Sequence, residues 1–245
     1  AIIREAGHRL AVILRQVGDE VRPGVTTKEL NDLAERLIRA GGDEPAFLGY
    51  QPTGASRPFP ATLCVSMNDE VVHGIPNEGD ERVLHEADIV SLDLGLRHEG
   101  LYVDMAVTGG VGNVREQDQK LMAATRDALA RGITAARAGA HVGDIGAAIE
   151  KFVKPLGYGI VDELGGHGTG RAVHELPYIP NYGVKGKGPL LKSGMVLAIE
   201  PMLTAGSPAV VLDNDGYTYR TRDGSQSAHF ENTILVRKDG AEALI

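Results

Sequence analysis

Four acidic residues are flanked by apolar, strand-like residues, and their spacing suggests that they meet. Asp93 closes Ile89-Val90-Ser91-Leu92-Asp93, and Asp104 lies inside Leu101-Tyr102-Val103-Asp104-Met105-Ala106-Val107. The glycine-bounded stretch Leu94 to Gly100 between them reads as a turn. With that turn centred on His98 and Glu99, Asp93 directly faces Asp104 across a hairpin, with Cβ atoms roughly 5 Å apart. Further on, Asp215-Gly216 is the strongest local hairpin signal in the chain. Strands folded back around it bring Glu200, which ends Val196-Leu197-Ala198-Ile199-Glu200, opposite Glu231. Pro201, Gly206 and Pro208 interrupt these arms and could introduce bulges.

Like charges facing each other in a sheet destabilise it. Four converging carboxylates must take up protons or hold cations between them. Two divalent ions would neutralise the cluster. The plainer reading makes each acid a solvated strand end, as most are; it suits Asp93 alone better than the four together. His167 lies in Gly165-Gly166-His167-Gly168-Thr169-Gly170, a backbone free enough of side chains to reach a crowded centre. The same glycines could cradle phosphate, but they lack the lysine of a P-loop and the dinucleotide-binding pattern. Oxygen-rich ligands with one imidazole suit Mn, Fe, Co or Zn. A pair of such ions activates water and polarises a carbonyl, the chemistry of aminopeptidases among other hydrolases. Cys64, in a strand-like run without a basic neighbour, is a poor alternative nucleophile, and no G-x-S-x-G occurs.

The elements that must position these groups come in two copies. Ile2, Ile3, Ala6, Leu10, Ile13, Leu14 and Val17 mark an amphipathic helix, broken at Arg22-Pro23-Gly24. Thr26 with Glu29 is a capping box opening a second helix through Leu30, Leu33, Leu37 and Ile38, closed by Gly41-Gly42. From about Gln117 the order repeats: Leu121, Ala124, Ala128, Leu129 and Ile133, then Arg137-Ala138-Gly139, then Ile145, Ala148, Ile149, Phe152 and Val153. The second helical pair follows the first at an offset of 115. A β-rich stretch follows each pair. Val72-His73-Gly74-Ile75-Pro76 answers Val173-His174-Glu175-Leu176-Pro177, and Val83 to Asp93 answers Leu190 to Glu200 at an offset of 107. Duplication predicts an approximate two-fold axis with equivalent side chains at its centre. His73 and His174 would then flank that centre as proton donors or carbonyl polarisers.

Composition narrows the partners. The 245 residues suit one large domain or two small ones. A formal charge of −8 argues against a nucleic-acid backbone or an anionic membrane as the main partner. One cysteine excludes an internal disulfide framework and fits a reducing cytoplasm. No apolar run is long enough to span a membrane, and the amino end shows no signal-peptide pattern. Aromatics are 4%, without tryptophan, so base stacking is not expected.

The chain resembles the type I methionine aminopeptidases. The resemblance is carried by Phe59 to Asn68, Val72-His73-Gly74-Ile75-Pro76, Asp93 with Asp104, Gly166-His167-Gly168-Thr169-Gly170, His174-Glu175-Leu176-Pro177, Ile199-Glu200-Pro201-Met202, and Ser227-Ala228-His229-Phe230-Glu231-Asn232-Thr233. It implies the pita-bread fold, an α/β (α+β) arrangement in a single domain, residues 1–245. Pseudo-two-fold duplicated halves, about 1–112 and 113–245, would carry curved antiparallel sheets with helices on the outer face. It implies removal of the N-terminal Met of nascent peptides when the second residue is small. By position, one metal would be held by Asp104, His167, Glu200 and Glu231, and the other by Asp93, with Asp104 and Glu231 bridging. His73 would contact the scissile region, His174 would stabilise the oxyanion, and Glu200 would shuttle the proton. Phe59, Cys64 and Tyr217 would wall the methionine pocket.

Three positions depart from the family's habit: Ser56-Arg57-Pro58 where an aromatic-His-Gly run is frequent, Val173 for Phe and Tyr217 for Trp. A less aromatic pocket is expected. A cytoplasmic monomer, able to associate with ribosomes, completes the expectation. X-Pro peptidases resemble the chain in metal ligands but usually carry an added amino-terminal domain, for which the roughly 70 residues before His73 leave no room. A catalytically silent binding relative would commonly have lost ligands, whereas all five positions are filled here.

Overall fold

A computed structural model describes residues 1–79 and 81–244. Helix α1 (Ile2–Asp19) and helix α2 (Thr27–Ala40) open the chain; α3 (Glu116–Ala135) and α4 (Val142–Val153) open its second half. The capping box at α2 forms as its sequence predicts. The Thr26 hydroxyl accepts from the Glu29 amide at 3.1 Å, and the Glu29 carboxylate accepts from the Thr26 amide at 2.8 Å.

The principal sheet runs in the order Glu44–Pro45, Ile89–His98, Leu101–Gly110, Glu231–Arg237, Val196–Ile199, Gly165–Gly168, Glu175–Pro180. Leu63–Met67 also pairs with Ile89–His98, and all the pairings are antiparallel. Period-two alternation divides each central strand. Leu92, Leu94 and Leu96 pack beneath α1 and α2 with Leu10, Leu14, Leu30 and Val103. Leu197, Ile199, Ile234 and Val236 pack beneath α3 and α4 with Leu121, Leu129, Ile145 and Ile149. Each fully buried leucine or isoleucine contributes about 1.5–3 kcal/mol. The alternate positions, Ser91, Asp93 and Gly95 on one strand and Asp104, Ala106 and Thr108 on the next, therefore face away from both helical layers.

The two halves repeat the same joints. Thr26 bridges Val83 and His141 bridges Leu190. Gly24 donates to Leu84 O at 2.8 Å, and Gly139 to Leu191 O at 2.9 Å. Thr27 donates to Arg82 O and Val142 to Pro189 O, each at 2.9 Å. Every one of these pairs carries the offsets of 115 and 107 visible in the sequence.

One expected register is corrected. Asp93 pairs with Ala106, and Asp104 with Gly95, so the two acids are diagonal neighbours on one face and not directly opposed. Ile89–His98 continues as strand through the stretch expected to turn, leaving Glu99-Gly100 as a two-residue connection. Both residues have positive φ, 47° and 84°, the geometry whose twist matches a hairpin. The other register holds without a shift. Asn232 faces Ile199, Met202 faces His229, and Val210 faces Thr221, although Pro201 and the 205–209 segment divide the arms among three sheets.

Candidate metal centre and substrate cleft

A cleft of about 780 Å³ opens on the inner face of the sheet, and Asp93, Asp104, His167, Glu200 and Glu231 all line it. His167 Nε2 lies 3.5 Å from Glu200 Oε1, 3.9 Å from Asp104 Oδ2 and 4.0 Å from Glu231 Oε1. Its Nδ1 lies 2.9 Å from the Gly168 carbonyl oxygen, which turns Nε2 toward the acids. The strand bearing His167 approaches its neighbours closely. A Cβ on Gly166 would stand 2.2 Å from Ala198 O, and one on Gly168 2.3 Å from Leu176 O; only glycine permits these pairings.

Asp104 is anchored across the sheet by Thr233, whose hydroxyl accepts from the Asp104 amide and donates to its carbonyl, both at 2.8 Å. Four residues along, Thr108 does the same for His229, accepting from its amide at 2.9 Å and donating to its carbonyl at 2.7 Å. Between these clamps Glu231 pairs with Ala106.

The electrostatics are those of acids withdrawn from water. Burial, with charge from the other carboxylates, pushes Asp104 and Glu231 well above the usual carboxylate range. Burial raises Asp93 to about 6 and Glu200 to about 8, and it lowers His73 to about 4 and His167 to about 3. Asp93 Oδ1, Asp104 Oδ1 and Glu231 Oε1 are buried without a hydrogen-bond partner among the described residues. Buried oxygens left unpaired are costly. Carboxylate oxygens converging with an imidazole nitrogen are the donor set of a hard-to-borderline divalent cation, so the residues fit such an ion.

The remaining expected residues border the same cleft. The His174 ring meets the His167 ring edge-on, with centroids 4.4 Å apart. His73 takes a left-handed conformation, φ 60°, a strained state typical of functional positions. Phe59 and Tyr217 stack edge-to-face at 5.1 Å, and they share an apolar cluster with Cys64, Phe47, Ile75 and Val173. Cys64 pairs with Asp93, and burial holds its thiol well above the ordinary range, so it is no nucleophile. Arg57, at the departing rim segment, forms a bidentate pair with Glu78 at 2.7 and 2.6 Å and accepts a hydrogen bond from the Tyr217 hydroxyl at its carbonyl.

Two residues escaped the sequence analysis. The Tyr50 hydroxyl lies 2.9 Å from His174 Nδ1, a contact across 124 positions that no local signal announces. His229 is 1% exposed, with Nε2 3.5 Å from Glu200 Oε2. Its spacing of two from Glu231 was the available signal, since alternate residues of an extended chain share a face.

A residue cluster fitted to a divalent ion beside an apolar pocket, on a curled antiparallel sheet backed by two helical pairs, is the architecture of a metallopeptidase. The chain belongs to metallopeptidase family M24, whose sequence profile matches residues 1–238. It is 43% identical over 240 residues to the methionine aminopeptidase of Aquifex aeolicus, covering 97% of this chain and 92% of that protein. It is 42% identical to methionine aminopeptidase 1 of Bacillus subtilis, covering 99% and 94%. The crystal structure of the Thermotoga maritima methionine aminopeptidase superposes with a TM-score of 0.93 at 41% identity, covering 98% of this chain and 94% of that one. A prolidase from Pyrococcus furiosus shares the fold at a TM-score of 0.76 and 22% identity, covering 99% of this chain and 62% of that one. The fold is the pita-bread fold common to these structures, and membership of the family implies use of a divalent metal. Among the described residues no helix is long and apolar enough to cross a membrane.

Proposed function

We propose that the protein is a methionyl aminopeptidase, a metal-dependent hydrolase that removes the N-terminal Met from nascent polypeptides whose second residue is small. The observation carrying this reading is the convergence of five ligand side chains, three of them with unpaired buried oxygens, on a cleft that also holds an apolar pocket. Asp104, His167, Glu200 and Glu231 would hold one ion; Asp93 would hold the other, with Asp104 and Glu231 between them. Co, Mn, Fe and Zn all suit this set. When bound, the ions supply water acidified toward neutrality and a polarised carbonyl.

The protein's own groups do the rest. Phe59, Cys64 and Tyr217 receive the flexible thioether of the methionine side chain, which adapts to irregular apolar walls. Glu200 takes the proton of the attacking water and delivers it to the leaving amine as the C–N bond breaks, releasing free Met and the shortened peptide. Burial keeps His174 neutral. With the Tyr50 hydroxyl donating to Nδ1, its ring proton sits on Nε2 and is available to the oxyanion. His73, neutral for the same reason, contacts the scissile region from the other half. One catalytic domain built from two duplicated halves belongs to this reading; so do a cytoplasmic location, a monomeric state, and work at or near the ribosome on peptide alone, without nucleic acid or membrane.

The test offers Met-Ala-Ser and Ala-Pro-Ala to protein supplied with Mn or Co. Release of free Met supports the proposal. Cleavage confined to the bond before proline would make the protein an X-Pro peptidase, and absence of turnover with any metal would make it a binding protein on the same fold.

A further inference from the structure

We infer that His229 is a sixth metal ligand, which gives the ion beside Asp93 an imidazole of its own. The inference rests on the dinuclear reading above but adds a residue outside the five-ligand set.

His229 does not behave as a structural core histidine. Its backbone is fully engaged by Thr108, amide and carbonyl alike. Its ring is 1% exposed, yet neither Nδ1 nor Nε2 has a hydrogen-bond partner among the described residues. A buried imidazole with both nitrogens unpaired is costly and uncommon. Nε2 points at two of the expected ligands, 3.5 Å from Glu200 Oε2 and 3.9 Å from Glu231 Oε2.

Those separations are too long for good hydrogen bonds and suit the edges of a coordination polyhedron. Donors held about 2.1 Å from a common ion lie roughly 3.0–3.4 Å from one another, so a small inward shift completes the shell. Glu200, His229 and Glu231 offer ligand atoms that all lie within 4.8 Å of one another, as Asp104, His167 and Glu231 do. His167 and His229 each approach Glu200, but at different oxygens: Oε1 for His167, Oε2 for His229. One histidine therefore stands at each end of the acid cluster. The two ligand groups share only Glu231, the acid expected to bridge, so His229 serves a different ion from His167. An imidazole there would shift an otherwise all-oxygen site from Mn toward Co, Fe or Zn.

The experiment counts imidazoles. Protein stripped of metal and reloaded with two equivalents of Co(II) should show two hyperfine-shifted imidazole N–H proton resonances from ligands. The isolated His229→Gln variant should show one, and its second Co(II) binding step, by calorimetry, should weaken at least about tenfold with the first step unchanged. The wild-type spectrum alone decides the matter if the variant does not fold. Two bound ions with a single imidazole resonance in the wild type would overturn the assignment while leaving the dinuclear reading intact. Failure of the wild type to bind two ions would overturn both.

Discussion

The hydroxyl of Thr233 bonds both backbone groups of Asp104, each at 2.8 Å, and so takes the place of a strand in fixing one of the cluster's acids. Thr233 is fully buried. Thr233→Val keeps the shape and removes both bonds, leaving a buried amide and carbonyl unpaired. A loss of about 2–4 kcal/mol is expected, read as a fall in the denaturation midpoint. Thr233→Ser retains the hydroxyl and should recover most of it. Equal stability of the two variants would show that Asp104 is held by other means.

Glu200→Gln separates folding from turnover. The amide matches the carboxylate in size but carries no transferable proton, so the variant should keep its thermal midpoint within a few degrees. It should lose about 10²- to 10⁴-fold in kcat. A near-normal rate of Met release would assign the proton shuttle to another group.

Stability of the metal-free protein should depend on pH in a definite direction. Asp93, Asp104, Glu200 and Glu231 all have folded values above their ordinary ones. The folded state therefore binds more protons than the unfolded, and the stability it gains is lost as pH rises through the folded values. His73 and His167 are shifted down and act in the opposite direction, but only below the ordinary histidine value of about 6.5. Between about 6.5 and 8 the carboxylates act alone, so chelated protein should lose stability as pH rises through that window. Adding Mn or Co at 100 times its Kd should restore roughly 2.7 kcal/mol. A flat profile for the chelated protein, read by chemical denaturation, would contradict the shared burial of the four acids.

Gly166→Ala tests the backbone beneath His167. The added Cβ would stand 2.2 Å from Ala198 O, a backbone atom that cannot swing aside. The pairing of Gly165–Gly168 with Val196–Ile199 must shift. A loss of about 1–3 kcal/mol of stability is expected, and calorimetry should show weakened first-ion binding because His167 moves with its strand. Unchanged affinity would mean that the ligand is positioned independently of this contact.

Much of the architecture was legible because it rests on local chemistry. Thr26 and Glu29 announce their cap, and the paired offsets of 115 and 107 anticipate matching joints at Gly24 and Gly139. The five clustered side chains were readable as a set. What slipped was register: the sequence does not say whether His98-Glu99 or Glu99-Gly100 makes the turn, and left-handed backbone at Glu99 decides it. Because the slip is two residues, Asp93 and Asp104 stay on one face, and the grouping survived the error. Tyr50 was unreadable, since its contact with His174 is wholly tertiary. His229 is readable by period two, since it stands two residues before Glu231 in an extended run.

The two threonine clamps have a consequence for any effort to toughen this protein. They straddle the seam where Leu101–Gly110 from one half meets Glu231–Arg237 from the other, and the register there is carried at Glu231 with Ala106 and Asn232 with Met105. Gains in robustness sought at that junction would alter the spacing of the acids it separates. Hardening is better directed to the outward faces of the four helices, where added charge pairs or caps leave the catalytic spacing untouched.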